Sequence, residues 1–272
     1  MVYAVACGIV RHGTGHEGNA YGALGLEEVM GAASSEQSAL VVLSGGQDST
    51  TCLYWALRQF DPQGVSAVTI DYGQRHRVEI AAATTVAQMA GVPHRILPLN
   101  SLEALGGNAL ADDAIAVAGG TDPQTSLPNT FVPARNVLLL SLAAALAYRD
   151  GIRHLVTGVA QTDYSGYPDC RAHTIEALAK TLRFALESRL EIHTPLMYLT
   201  KAQTVRLAQE LGALPALAWT HTCYNGAQPP CGACPACALR AKGFAEAGVP
   251  DPLVQRLAGQ VAPGAQPIRG RS

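Results

Sequence analysis

Two short stretches of this chain carry reactive residue types at spacings that let them act together. The first is Ser44-Gly45-Gly46-Gln47-Asp48-Ser49-Thr50. Its two glycines let the backbone turn tightly and present N–H groups, and the Ser44, Ser49 and Thr50 hydroxyls add donors. A helix starting here aims the positive end of its dipole into the same space. The result is a cradle for an anion of pyrophosphate type, and the Asp48 carboxylate beside it suits a hard cation such as Mg2+. It is not a Walker A loop, because no Gly-Lys-Ser/Thr follows, and it lacks the Gly-x-Gly-x-x-Gly dinucleotide spacing. The second stretch is Cys223-x7-Cys231-x2-Cys234-x2-Cys237. Four thiolates complete the tetrahedral shell of a structural Zn2+ and leave no position for water. An iron–sulfur cluster also takes four cysteines, and spacing leaves both open. The CGACPAC portion is expected to place three sulfurs on a compact turn, with His221 nearby in a capping or solvated role.

The anion cradle needs a strand before it and a helix after it. Ala39 to Leu43 is a continuous apolar run, as expected of a buried parallel strand, and a helix should run from Asp48 to Arg58. Further strands are expected at 65–70, 94–99, 155–158 and 191–193, with helices at 78–90, 136–148 and 173–189. Thr200 and Gln203 form a capping-box pattern that opens a helix to Leu211. Alternating strands and helices predict an α/β fold with a doubly wound, mostly parallel sheet. Residues 1–37 read as an extension without clear period, with Met30 just before its polar end. Residues 106–133 form a long irregular stretch, and the chain after Val249, rich in proline and glycine, is expected to be loosely held. The chain therefore divides into an extension at 1–37, an α/β domain at 38–215 that carries the anion cradle, a four-cysteine subdomain at 216–247 and a tail at 248–272.

Composition narrows the classes of function. The 272 residues are 48% hydrophobic and 15% charged, which excludes a wholly disordered chain. A net charge of −2 supplies no global positive field to hold nucleic acid. No apolar run reaches the roughly 20 residues of a membrane span, and Met1 to Val10 lacks the basic flank of a secretory signal. Seven cysteines, four of them crowded between Cys223 and Cys237, suit a metal site in a reducing compartment better than a disulfide framework. The expected setting is cytoplasmic. The oligomeric state is open, a homodimer included.

The Ser-Gly-Gly-x-Asp-Ser string after an apolar strand resembles the PP-loop of ATP pyrophosphatases. Within that superfamily the chain resembles the 7-cyano-7-deazaguanine synthase family, QueC. The resemblance rests on LSGGQDSTTCLYWA (43–56), DYGQRH (71–76), FVPARN (131–136), GVAQTDYSGYPDCR (158–171), PLMYLTKA (195–202) and TCYNGAQPPCGACPACALRAKGF (222–244). It covers residues 38–247, with small departures such as Ala160 and Thr200. It implies a ligase that turns 7-carboxy-7-deazaguanine, ammonia and ATP into 7-cyano-7-deazaguanine, through an adenylated carboxylate and an amide. These substrates are small molecules, with neither nucleic acid nor membrane as partner.

The resemblance also implies roles. Leu43, Ser44, Gly45, Gly46, Gln47, Asp48, Ser49, Thr50, Thr51, Cys52 and Leu53 form the nucleotide-binding segment, with Asp48 on the metal ion that accompanies ATP. Asp48 and Arg135 are the catalytic candidates, Arg135 as a bidentate partner for phosphate or carboxylate or else as a helix-start ion pair. Asn136 and Asp163 are candidates for the substrate base, Tyr72, Tyr164 and Tyr167 for stacking on it, and His76 for acid–base work. Cys223, Cys231, Cys234 and Cys237 are the expected zinc ligands, one ion per chain. Two rivals stand beside this reading: a PP-loop enzyme that thiolates or aminates a tRNA base, and a non-enzymatic zinc module. The first lacks a basic RNA-binding appendage, and the second leaves the glycine loop unexplained.

Overall fold

The computed structural model describes residues 36–73, 77–99, 127–162 and 167–259. Residues 1–35 of the expected extension, His76, the irregular stretch up to residue 126, Asp163, Tyr164 and the chain beyond Gly259 lie outside the described residues.

Strand β1 (Ala39–Val42) is the centre of the fold. Ala39, Leu40 and Val41 are fully buried, because a central parallel strand is covered on both faces. It pairs in parallel with β2 (Val65–Asp71) on one side and β4 (His154–Val156) on the other. Outside these lie β3 (His94–Pro98) and β5 (Glu191–His193), giving a five-stranded parallel sheet in the order β3-β2-β1-β4-β5. Helices α1 (Gln47–Gln59) and α2 (Val78–Ala90) cover one face over Ala39, Val41, Ala67 and Val156. Helices α3 (Arg135–Arg149) and α4 (Ala172–Ala185) cover the other over Leu40, Val68 and Leu155. Successive strand residues alternate between these cores, as a period of two requires. The connections leaving β1 and β4 diverge at the carboxyl ends of those strands. That divergence opens the crevice where doubly wound sheets hold ligands.

Helix α5 (Lys201–Glu210) starts in the expected capping box, with Thr200 and Gln203 each satisfying the other's backbone N–H. Past it the chain is more helical than expected. Short α6 (Leu214–Leu217) precedes the cysteines, α7 (Pro235–Ala247) follows them, and α8 (Pro252–Leu257) comes last. Phe244 of α7 packs into a core with Tyr54, Val205 and Leu217, so the cysteine segment belongs to the same compact unit as the sheet.

Three expectations are corrected. The CGACPAC segment is not all turn: Cys234 caps α7 and Cys237 lies in its first turn, with Pro235 at a position where its missing N–H costs nothing. The chain after Val249 is not loose up to Leu257, because Leu253 is buried and Asp251 accepts two bonds from Arg240. Helix α4 stops at Ala185 rather than Arg189. There Glu187, in left-handed conformation at φ 45°, turns the chain so that Leu190 enters the core beside β4.

Candidate active site and cysteine centre

The loop between β1 and α1 is held by its own hydroxyls. Ser49 Oγ accepts the Ser44 N–H at 3.1 Å and donates to Gly46 O at 3.2 Å, which leaves the Ser44 hydroxyl to donate to Ser49 Oγ at 3.0 Å. The two serines therefore shape the loop, and the start of α1 borders a cavity. Gly45 sits at φ 83°, and a Cβ there would stand 2.3 Å from Glu79 O and 2.7 Å from Ala83 N. Only glycine fits that close approach of α2. Gly158, just past β4, also approaches closely from the other side: its Cβ would lie 2.9 Å from Ser49 N. Thr157 and Gly158, expected in the fourth strand, thus support the loop instead.

The cavity, of about 310 Å³, opens above this loop at the carboxyl ends of β1 and β4. Leu43, Ser44, Gly46, Gln47, Asp48 and Ser49 line it. Thr50, Thr51, Cys52 and Leu53 do not reach it. All four are fully buried, Cys52 and Leu53 against the sheet; Thr51 bonds Gln47 O and Cys52 lies 3.6 Å from Thr157 O. Burial, and then Asp48, push the Cys52 thiol well above its ordinary range, so it behaves as a small apolar residue. Gln47 is 3% exposed, and neither its Oε1 nor its Nε2 has a hydrogen-bond partner among the described residues. An orphaned amide on a cavity wall is a group waiting for a ligand.

Lys201, the first residue of α5, donates to both Asp48 carboxylate oxygens, at 3.0 and 2.8 Å. Sequence reasoning assigns Lys201 no role although it lies inside PLMYLTKA. Its only signals are a basic residue at a helix start, where the dipole disfavours it, and a lone charge in an apolar run. Asp48 is therefore one half of an ion pair on the cavity wall, and its nearly buried lysine sets a positive charge beside the glycine loop.

The opposite wall is built on a strained turn. Ala134, at φ 55°, precedes α3 and swings Arg135 into the cavity. The guanidinium carbon lies 5.8 Å from the Tyr72 ring centre and 6.0 Å from that of Tyr167, and one nitrogen reaches Tyr72 Oη at 3.4 Å. Among the described residues no carboxylate forms an ion pair with Arg135, so it is not a helix-start salt bridge. Asn136 donates its backbone N–H to Asp169 at 2.8 Å and its side-chain amide to Cys170 Sγ at 3.2 Å. Tyr167 shares a short hydrogen bond with Thr130 and stacks on Phe131 at 5.9 Å, which ties FVPARN to the chain after β4. Glu79, on the first turn of α2, lines the same cavity. Burial pushes its carboxyl up to about 7 although Arg135 pulls it down. Tyr224 also faces the space, its phenol raised by burial and by Tyr167.

The sulfurs of Cys223, Cys231, Cys234 and Cys237 lie within 4.8 Å of one another. Ligands about 2.3 Å from a tetrahedral ion stand about 3.8 Å apart, so this set fits a metal held by sulfur alone. Three of the cysteines are buried and Cys231 is exposed. The backbone N–H groups of Ala233 and Cys234 pull the Cys231 thiol down to about 6, whereas burial pushes Cys237 up. A cation among the four reverses that burial penalty.

Two devices dock this centre beside the cavity. The His221 N–H donates to Gly45 O at 2.9 Å, and its ring Nε2 lies 3.0 Å from Cys223 O. His221 is thus a buried strut: of the capping and solvated roles expected, burial excludes the solvated one, and its ring meets a backbone carbonyl. Arg240, 5% exposed, gives Asp251 two bonds at 2.7 and 2.8 Å, and reaches Thr220 at 2.8 Å, Thr222 at 3.2 Å and Leu217 O at 3.1 Å. A guanidinium has five N–H donors, and all are engaged. Arg240 therefore borders the cavity as a brace, with nothing left for a phosphate.

Residues 38–248 match the family model described as queuosine biosynthesis protein QueC. The chain is 65% identical to a 7-cyano-7-deazaguanine synthase of Chromobacterium violaceum, over 82% of this chain and 95% of that one. It is 64% identical to one of Laribacter hongkongensis, over 82% of this chain and 96% of that one. A solved 4-thiouridine synthetase–RNA complex with bound ATP aligns at 19% identity and a TM-score of 0.46, over 83% of this chain and 50% of its own. With the sheet order, the loop and the four cysteines in place, the chain belongs to the QueC family.

Proposed function

We propose that this chain converts 7-carboxy-7-deazaguanine and ammonia into 7-cyano-7-deazaguanine with ATP, the product for which its 64–65% identical relatives are named. The observation that carries the reading is one cavity with the glycine loop at one wall and, at the other, an arginine that forms no ion pair among the described residues. Backbone amides and Lys201 suit a triphosphate, and Arg135 suits the carboxylate to be activated or the charge that builds on it.

A carboxylate resists ammonia because its leaving group would be oxide. Attack of a carboxylate oxygen on the α-phosphorus releases pyrophosphate and leaves AMP as a good leaving group. Ammonia displaces AMP and forms the amide. Adenylation of the amide oxygen by a second ATP, with loss of AMP and of the two N–H protons, gives the nitrile. Asp48 would hold the Mg2+ that accompanies ATP, which neutralises phosphate charge when bound. Glu79, titrating near neutrality, is the cavity group suited to accept protons from the attacking nitrogen. Much of the acceleration is positioning in a closed, charged space.

Zinc is the ion that suits the sulfur set best, as one closed structural site per chain in a segment at 216–247, with the sheet domain at 38–215. Net charge and the lack of a basic appendage support small-molecule substrates without nucleic acid, and the crowded cysteines suit a reducing cytoplasm. No helix of the described residues is long and apolar enough to cross a membrane.

The test measures AMP release with ATP, ammonia and the deazaguanine acid. Asp48→Asn and Arg135→Gln each lower kcat/KM by about 100-fold or more, with melting temperatures close to the parent. AMP release that does not depend on the deazaguanine acid would overturn the substrate.

A further inference from the structure

A second cluster of metal-binding side chains lies away from both sites just described. His154 opens β4, and Glu191 and His193 are the first and last residues of the edge strand β5. The register pairs His154 with Glu191 and Val156 with His193, so all three side chains stand on the sheet face that carries α1. His154 Nδ1 lies 3.0 Å from His193 Nε2, and Glu191 Oε2 lies 3.8 and 3.9 Å from those nitrogens.

From this geometry we infer that His154, His193 and Glu191 bind a divalent transition-metal ion of the zinc, cobalt or nickel class. Donors about 2.0–2.2 Å from a tetrahedral ion stand about 3.3–3.5 Å apart, so the imidazoles need to part slightly and the carboxylate to close by a few tenths of an ångström. Glu191 is 51% exposed and free to make that move, whereas His154 and His193 are 13% and 26% exposed and held. Phe60 packs against both imidazoles, at 4.9 and 5.6 Å, and Trp55 against His193 at 5.7 Å. The nitrogens are thus fixed on two hydrogen-bonded strands by an aromatic wall, with the carboxylate at the solvent rim. Two imidazoles and one carboxylate select borderline transition metals over Mg2+ or Ca2+, and three protein ligands leave room for water. The ion ties the three-residue edge strand to its neighbour. The site differs from the cysteine centre in ligand type and in place.

The full chain with its cysteine centre filled is titrated with Zn2+ by calorimetry and with Co2+ by absorption. A second equivalent binds, the cobalt spectrum gains ligand-field bands without added thiolate charge transfer, and the melting temperature rises by a few degrees. His193→Phe keeps a ring against Trp55 and Phe60 but abolishes the second equivalent, and Glu191→Gln weakens it by about 10-fold or more. Both variants keep the parent's nitrile-forming activity and the melting temperature it has before the second equivalent is added. Absence of a second equivalent in the parent protein, or one that survives His193→Phe, overturns the assignment and leaves the two imidazoles as a hydrogen-bonded pair.

Discussion

The glycine loop and the cysteine segment are joined by a backbone bond, His221 N–H to Gly45 O, yet opposite means shape them. The loop is backbone work. A left-handed glycine, two knitted serines and a helix start create the amide array, and the supporting helix and strand ends approach too closely for any Cβ. The cysteine segment is side-chain work, in which four sulfurs and one fully engaged guanidinium hold α7 and α8 in place. Such a loop tolerates neither a Cβ at Gly45 or Gly158 nor a shift of the elements behind it. A side-chain device depends on every ligand and brace, because each leaves a buried partner stranded when lost.

The strongest way to break that contrast is at the metal. Cys223→Ser lowers bound metal and destabilises the segment by several kcal/mol, since ion binding there is coupled to folding. Proteolysis then enters residues 217–259 while the sheet stays protected. Equal stability with normal metal content would show that three sulfurs suffice. Next in size is Arg240→Leu, which strands the Asp251 carboxylate and costs about 3–5 kcal/mol in urea unfolding. Adding Asp251→Leu recovers most of the loss if the brace is a charge pair rather than a packing unit.

The cavity offers a subtler probe. The folded state holds the Glu79 proton up to about pH 7, whereas the unfolded chain releases it near 4.5. Folded protein therefore binds more protons between those values, and stability falls as pH rises through that window and levels off above it. Glu79→Gln removes the slope and is more stable than the parent at pH 8, by up to about 3 kcal/mol. Thermal melts from pH 4.5 to 8 read this directly, and parallel curves would show that Glu79 is solvated. The smallest effect belongs to Ala134, whose left-handed backbone costs about 1 kcal/mol as alanine. Ala134→Gly raises stability by that amount, and AMP release shows whether a relaxed turn still aims Arg135.

Sequence pattern reaches the sheet and its first five helices because each is announced locally. The apolar run at 39–43, the alanine-rich period at 78–90 and the Thr200–Gln203 box need no distant partner. Helix α7 escapes because cysteines, prolines and glycines crowd its start and read as turn. Lys201 escapes because its partner is 153 residues away, and a salt bridge of that span leaves no periodic trace. Glu79 and His221 escape for a related reason: what makes them unusual is burial, which depends on elements that arrive later.

The sheet order also bears on how the chain is made. Strand β1 ends at Val42, but the neighbour that covers its second edge begins only at His154. At ribosomal rates of about 5–20 residues per second, those roughly 110 residues take on the order of 6–20 s to emerge. Throughout that interval the apolar Ala-Leu-Val-Val edge is open to pairing with another nascent chain. The central strand is thus the most protected element of the finished protein and the most vulnerable during synthesis.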